Sequence, residues 1–212
     1  ETSGHPNNQG FALFHGYLCQ RIAHNYYPTH LWLNEEKDML EGNEWFRSHQ
    51  KLEEPLEGDD AYYGRYSAGS YAPDVMTETA LGFIKESAGE PFFMYFASTI
   101  PHVSLQAPRG DVESYPAEWD EAPYLGQKGY LPHPSPRRAY AAMVSHLDRD
   151  VGRVLDLLEE LGIAWSKPRN PGIKDVAGLD RGGGAHLGQQ AGPGVGTGDG
   201  ALAQVQLGDV DL

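Results

Sequence analysis

Histidine is the first place to look for chemistry in these 212 residues. There are nine, and the imidazole is the side chain best suited to move protons or bind metal near neutral pH. His24 and His30 are six apart, and His5 and His15 ten apart. Neither spacing is a helical His-x-x-x-His or a Cys/His zinc pattern, so no dedicated zinc site is expected. His24 and His30, beside Tyr26, Tyr27 and Trp32, read either as packed residues or as the lining of a substrate cleft. His102 stands apart. It follows the apolar run Phe92-Phe93-Met94-Tyr95-Phe96-Ala97 through Ser98-Thr99-Ile100-Pro101. Ligand sites of open α/β sheets lie beyond the carboxyl ends of strands, so His102 is placed where chemistry concentrates. The competing reading has its ring fixing the Ile100–Val103 turn.

Other reactive types carry weaker signals. Asp148 and Asp150 are two apart on an expected helix and point in different directions, so solvation and pairing with Arg149 or Arg153 is the expected role. Gly182-Gly183-Gly184 has no preceding strand and no following Lys-Ser/Thr, and is not a phosphate loop. Cys19 is the only cysteine, which excludes an internal disulfide and assigns no compartment.

The elements that must position these residues follow from periodicity. Up to about Trp45 the chain reads as turns and short strands, and 34–70 as an acidic, polar surface excursion. From Asp74, taken as an N-cap, Met76, Ala80, Phe83, Ile84 and Ser87 fall on one face of a helix that Gly89 and Pro91 end. Phe92–Ala97 is apolar throughout, the pattern of a strand buried on both faces. Residues 106–136 read as a long loop, either a substrate-facing lid or a surface insertion. Tyr140, Met143, Val144, Leu147, Val151, Val154, Leu155, Leu158 and Leu161 keep one apolar stripe along a long helix that Gly162 ends. Helix, strand, loop, helix is an α/β rhythm. It demands another parallel strand soon after Gly162. None is apparent, because 164–212 is glycine-rich and is expected to be a disordered tail.

Composition sets the outer bounds. Hydrophobic residues make up 40% of the chain, enough for a core in one large domain or two small ones. No apolar run is long enough to span a bilayer. The net charge of −14 comes without a basic stripe, which argues against nucleic acid as a partner. It also repels anions at long range, so an anion site has to be built locally from a metal, a lysine or backbone donors. The chain begins with Glu1 rather than Met and reads there like the middle of a longer protein.

Several stretches together resemble the arylsulfatase family, within the alkaline-phosphatase-like superfamily. They are Gly4-His5-Pro6-Asn7-Asn8-Gln9-Gly10-Phe11, Gly16-Tyr17-Leu18-Cys19-Gln20-Arg21 through Trp32, Pro91-Phe92-Phe93-Met94-Tyr95 into Ile100-Pro101-His102, and Tyr140 through Leu161 with its Leu147-Asp148-Arg149-Asp150-Val151-Gly152. Ala12 departs from relatives that often carry Asp after Gly-Phe. The resemblance covers 1–163, as an internal part of a sulfatase catalytic domain, and leaves 164–212 as an unrelated tail of the kind a frameshift, a wrong exon or a truncated gene model produces. It implies an α/β fold, a partial mixed sheet flanked by helices.

What the resemblance implies about chemistry is hydrolysis of sulfuric esters. A cysteine matured to formylglycine attacks sulfur, Ca2+ held by acidic and amide oxygens polarises the sulfate, and lysine and histidine neutralise developing charge. It makes His102 the catalytic and substrate-binding histidine, and a sulfated small molecule or glycan the partner. It implies a secreted, periplasmic or lysosomal setting. It assigns no metal ligand and no nucleophile here. Cys19 is followed by Gln20-Arg21-Ile22-Ala23 rather than the family's Cys-x-Pro-x-Arg, and is expected to be a buried structural thiol. The formylglycine, lysine and calcium-ligand segments are not recognisable, so this polypeptide is expected to be inactive. The alternatives are a non-catalytic sulfatase-like protein and a phosphodiesterase of the same superfamily using Thr or Ser.

Overall fold

The computed structural model describes residues 3–67, 69–120, 122–164 and the backbone of 201–206. Five strands, β1 (Leu13–Gly16), β2 (His30–Leu33), β3 (Glu36–Met39), β4 (Phe92–Phe96) and β5 (Ala201–Gln206), form one sheet in the order β3-β2-β1-β5-β4. β1, β2 and β3 run antiparallel, and β5 lies parallel between β1 and β4, pairing Leu13 with Ala203 and Phe92 with Ala201. The fold is the expected mixed α/β arrangement. The parallel strand required after the long helix is present, but it comes from Ala201–Gln206, inside the glycine-rich segment where no strand was expected. The rest of that segment lies outside the described residues.

The helix expected near Asp74 is α3 (Ala72–Ser87; the single turn Gln20–Ala23 is α1 and Asp59–Tyr66 is α2). It lays Met76 and Ala80 against Tyr17 and Leu31, with Met94 and Phe96 of β4 packed on the same cluster. Tyr71, not Asp74, occupies the N-cap, without a side-chain cap. Asp74 stands in the first turn, where a carboxylate suits the positive helix end, and its side chain reaches another helix.

β4 is an edge strand rather than a strand buried on both faces. Its inner residues meet α3, while Phe93 and Tyr95 are 54% and 50% exposed. Strand alternation puts them on the face no described helix covers. The 34–70 excursion also differs from expectation, because α2 buries Tyr62, Tyr63 and Tyr66 against Leu131. Within 106–136 the chain forms α4 (Arg109–Glu113), a 3-10 turn at Ala117–Trp119 and a bridge between Tyr124 and His133.

The long helix is α5 (Pro136–Glu160), and Gly162, in the left-handed region at φ 69°, ends it as expected. Its apolar stripe only partly coincides with its buried face: Met143 and Val154 belong to both, and Leu147 and Leu158 pack against buried clusters. Ala139, Ala142, Met143, Val154 and Leu157 are buried together with His146 and Asp150, while Tyr140, Val144, Val151 and Leu155 face outward. Alanine lets a neighbouring helix approach closely: Val112 of α4 packs with Ala139 and Ala142, while Leu81 and Ile84 of α3 meet Val154 and Leu157 further along. Asp148 and Asp150 do point apart: Asp148 is exposed and Asp150 buried, so the expected solvated role holds for only one of them.

Candidate functional site

The chain leaves β4 through Ala97 and Ser98 and turns at Thr99–His102, where the His102 amide donates to the Thr99 carbonyl at 3.0 Å. The turn is braced from below by Tyr26. Its buried hydroxyl lies 3.0 Å from the Thr99 carbonyl and 2.8 Å from the His102 carbonyl, so one proton serves both. Burial pushes the Tyr26 pKa up, and the hydrogen bond to Thr99 opposes this only in part. The phenol therefore stays a donor and fixes the turn. The His102 ring is exposed beyond it.

His102 Nδ1 is 2.6 Å from the Val103 carbonyl. A carbonyl only accepts, so Nδ1 carries the proton and Nε2 has no partner among the described residues. The reading in which the ring fixes the turn is met by Nδ1.

Two further histidines join it. The His24 ring stacks on His102 with centroids 5.2 Å apart and planes 10° from parallel. His24 Nδ1 is 3.1 Å from His49 Nε2. Tyr130 lies edge-on to His24 and tilted against His49. Burial lowers the His24 pKa, and His102 and His49 add to the effect. His49 is lowered by burial and then by Arg21 and Arg47. Burial is the main cause of both shifts, and the neighbouring cationic or imidazole groups act in the same direction.

The segment carrying His49 is held at both ends. Asn43 donates to the Pro28 and Ser70 carbonyls at 2.7 and 2.8 Å and accepts from the Ser70 amide. At the far end Leu52 bonds the Leu125 carbonyl, and a Cβ on Gly126 would come within 2.0 Å of the Gln50 carbonyl, so only glycine fits.

Two clefts open beside His49. One, of about 440 Å³, is lined by Arg21, Asn25, His30, Trp45, Arg47 and His49 among others. The other, of about 750 Å³, shares Trp45, Arg47 and His49 and adds Lys51 and Arg65. Trp45 stands 79% exposed where they meet. In a chain of net charge −14, four cations and two histidines around adjoining clefts form the locally built anion environment that the charge balance requires.

Of the residues singled out from sequence, the structure brings His24 to His102 and puts His30 in a cleft wall. His49, Arg21, Arg47 and Tyr130 were missed, because they come from separate parts of the chain and no local spacing marks them. Cys19 is not the expected buried thiol. It is exposed at the start of α1, with its side chain outside the core. His5 and His15 belong elsewhere: His5 packs edge-on to Phe14, and His15 bonds Thr79 on α3 at 2.7 Å.

Among the described residues, a single group of histidine, cysteine or carboxylate side chains lies close enough together to hold a metal: Asp74, His146 and Asp150. An imidazole nitrogen in so small a set does not suit calcium, which takes six to eight oxygen ligands. The calcium site that the resemblance implies is therefore not formed by these residues, and the only cysteine lacks the setting of a formylglycine precursor.

The model of the family described as Sulfatase matches residues 20–164. A protein named sulfatase from Formosa agariphila is 33% identical over 113 residues, which are 52% of this chain and 19% of that protein. The chain thus spans about a fifth of the length of the curated relative it matches. Among the described residues no helix is long and apolar enough to cross a membrane.

Proposed function

This chain belongs to the sulfatase family, and from that premise we propose that it is part of a sulfuric ester hydrolase and that the anionic group of its substrate meets the His102 cluster. The observation that carries the reading is the stacked His102–His24 pair at the end of β4, beside clefts lined by Arg21, Arg47, Lys51 and Arg65. Hydrolysis transfers the sulfuryl group of the ester to water, and negative charge grows on the departing alcohol oxygen. His102, anchored through Nδ1, presents Nε2 to that region. Protonated, Nε2 donates to a sulfate or leaving-group oxygen, and the stacked His24 fixes the ring plane. The arginines bind the sulfate as planar donors. Exposed Trp45 offers a flat apolar face to the aryl or sugar portion. The substrate class is a sulfated small molecule or glycan.

The 212 residues alone are proposed not to turn over ester, because Cys19 lacks the Cys-x-Pro-x-Arg setting and no calcium-type oxygen cluster stands among the described residues. Two assays test the reading. Purified chain is incubated with an aryl sulfate and Ca2+, where turnover above a His102→Ala control overturns the inactivity. Isotope-edited NMR of the histidines is then recorded during sulfate-ester titration. Saturable shifts confined to His24, His30, His49 and His102 are expected. Shifts spread evenly over all nine histidines would remove the assignment of the site.

A further inference from the structure

His146 lies at the centre of a second cluster, built wholly from helices. Its side chain is fully buried, with Nε2 2.8 Å from Asp74 Oδ1 on α3 and Nδ1 2.9 Å from Asp111 Oδ2 on α4. Asp150, one turn further along α5, puts Oδ2 3.7 Å from the same Nε2. Ligand atoms of Asp74, His146 and Asp150 all lie within 4.8 Å of one another.

Asp150 is the residue in need of explanation. It is 1% exposed, and neither carboxylate oxygen has a hydrogen-bond partner of ordinary geometry, although Thr77 is near enough to favour its charged form. A buried carboxylate without partners is among the costliest groups a fold can hold. The surrounding charges sharpen the point. Asp74, Asp111 and Asp150 face one arginine, Arg149, whose Nη2 is 3.4 Å from Asp111 and 2.5 Å from His146 Nδ1. Arg153 is occupied by Glu78. As the contacts stand, both ring nitrogens donate to carboxylates and one negative charge is left over; with Nε2 stripped of its proton, as a metal ligand must be, two are.

We propose that Asp74, His146 and Asp150 bind a divalent first-row transition ion of the zinc type, which staples α3 to α5 away from the His102 cluster. One nitrogen and two carboxylates suit such an ion, and its charge balances the two negative ones. Asp111 completes the arrangement. By accepting from Nδ1 it orients the ring and makes Nε2 the ligand atom, the usual outer partner of a metal-bound histidine. The ion takes the place of the Nε2 proton. Asp74 and His146 then need to part only slightly, since two ligands at about 2.0–2.1 Å from zinc stand about 3 Å apart. The Asp74 side chain is 47% exposed and leaves an entry path. Water completes the coordination from that side.

The test uses the 212-residue chain freed of metal, with Zn2+ for affinity and Co2+ for its visible spectrum. One equivalent is expected to bind, and to raise Tm by about 5–10 °C at about 100-fold excess over Kd. Asp150→Asn should abolish the Tm rise, and Asp111→Asn should weaken binding by about 10–100-fold. In EDTA, Asp150→Asn should be at least as stable as the parent, because an amide costs less to bury than an unpartnered charge. Three results would overturn the site: no saturable binding, unchanged binding in Asp150→Asn with loss in His49→Ala, or an Asp150→Asn chain clearly less stable than the parent in EDTA. The last would make the cluster a metal-free ion pair.

Discussion

Two histidines of this chain have opposite surroundings. His102 is exposed, carried by a turn, stacked on another histidine and close to clefts lined with arginine and lysine. His146 is buried in the middle of a helix and flanked by carboxylates from three helices. Burial alone lowers an imidazole pKa, yet the hydrogen bonds that the ring donates to Asp74 and Asp111 outweigh it and leave His146 raised. The residue type does not set the role. The sign of the nearby charge does: cationic side chains surround one ring and carboxylates the other.

A third histidine sharpens the contrast and gives the largest predicted effect. His133 is 1% exposed, packs on Tyr62 at 4.4 Å, and accepts at Nδ1 from the Ser135 amide. No carboxylate bonds it, and burial pushes its pKa down to about 3, with Asp120 opposing only weakly. The unfolded chain takes up this proton near pH 6.5, while the folded chain resists it. The resulting stability is complete above pH 6.5 and shrinks as pH falls toward 3. By pH 4 about 3 kcal/mol should be gone. Urea midpoints measured between pH 7 and 4 check this, and His133→Gln should flatten the slope. An unchanged slope in the variant would assign the acid sensitivity elsewhere.

A smaller effect separates the two clusters directly. Arg47→Ala should weaken inorganic sulfate binding by about 3–10-fold at low salt and by less at 1 M salt, because the cleft is open to solvent. Asp150→Asn should leave sulfate affinity unchanged. Isothermal titration of both variants decides, and a loss of sulfate binding in Asp150→Asn would mean that the clusters are one site. The smallest effect is the control: Asp148→Asn, on the exposed side of α5, should shift stability by less than about 0.5 kcal/mol in a thermal melt.

The two clusters also differed in how far the sequence could reveal them. His102 was found because it follows an apolar run, a signal contained in a dozen consecutive residues. His49 and Tyr130 join the His24–His102 pair from loops tied down by Asn43 and Gly126, and nothing local encodes such a meeting. The helices α3 and α5 were legible from their period. Which face of α5 is buried was legible only in part: Met143 and Val154 of the stripe are buried, but the face is centred on Ala139, Ala142, His146 and Asp150, and Tyr140, Val144, Val151 and Leu155 stand outside it. That is why Asp150 read as solvated and His146 drew no notice. α2 was missed for a related reason: acidic neighbours mask three tyrosines that pack as apolar residues once folded. The β5 pairing was required by topology, but its residues lie in a glycine-rich stretch without a strand pattern.

Cys19 was set aside as a nucleophile and found at the surface. As the only thiol of the chain, two residues before Arg21, it is also a ready point of attachment. A maleimide fluorophore reacts there once per molecule, with no cysteine to remove elsewhere. Its emission then reports what enters the arginine-lined cleft, leaving the helical cluster to be read through its metal.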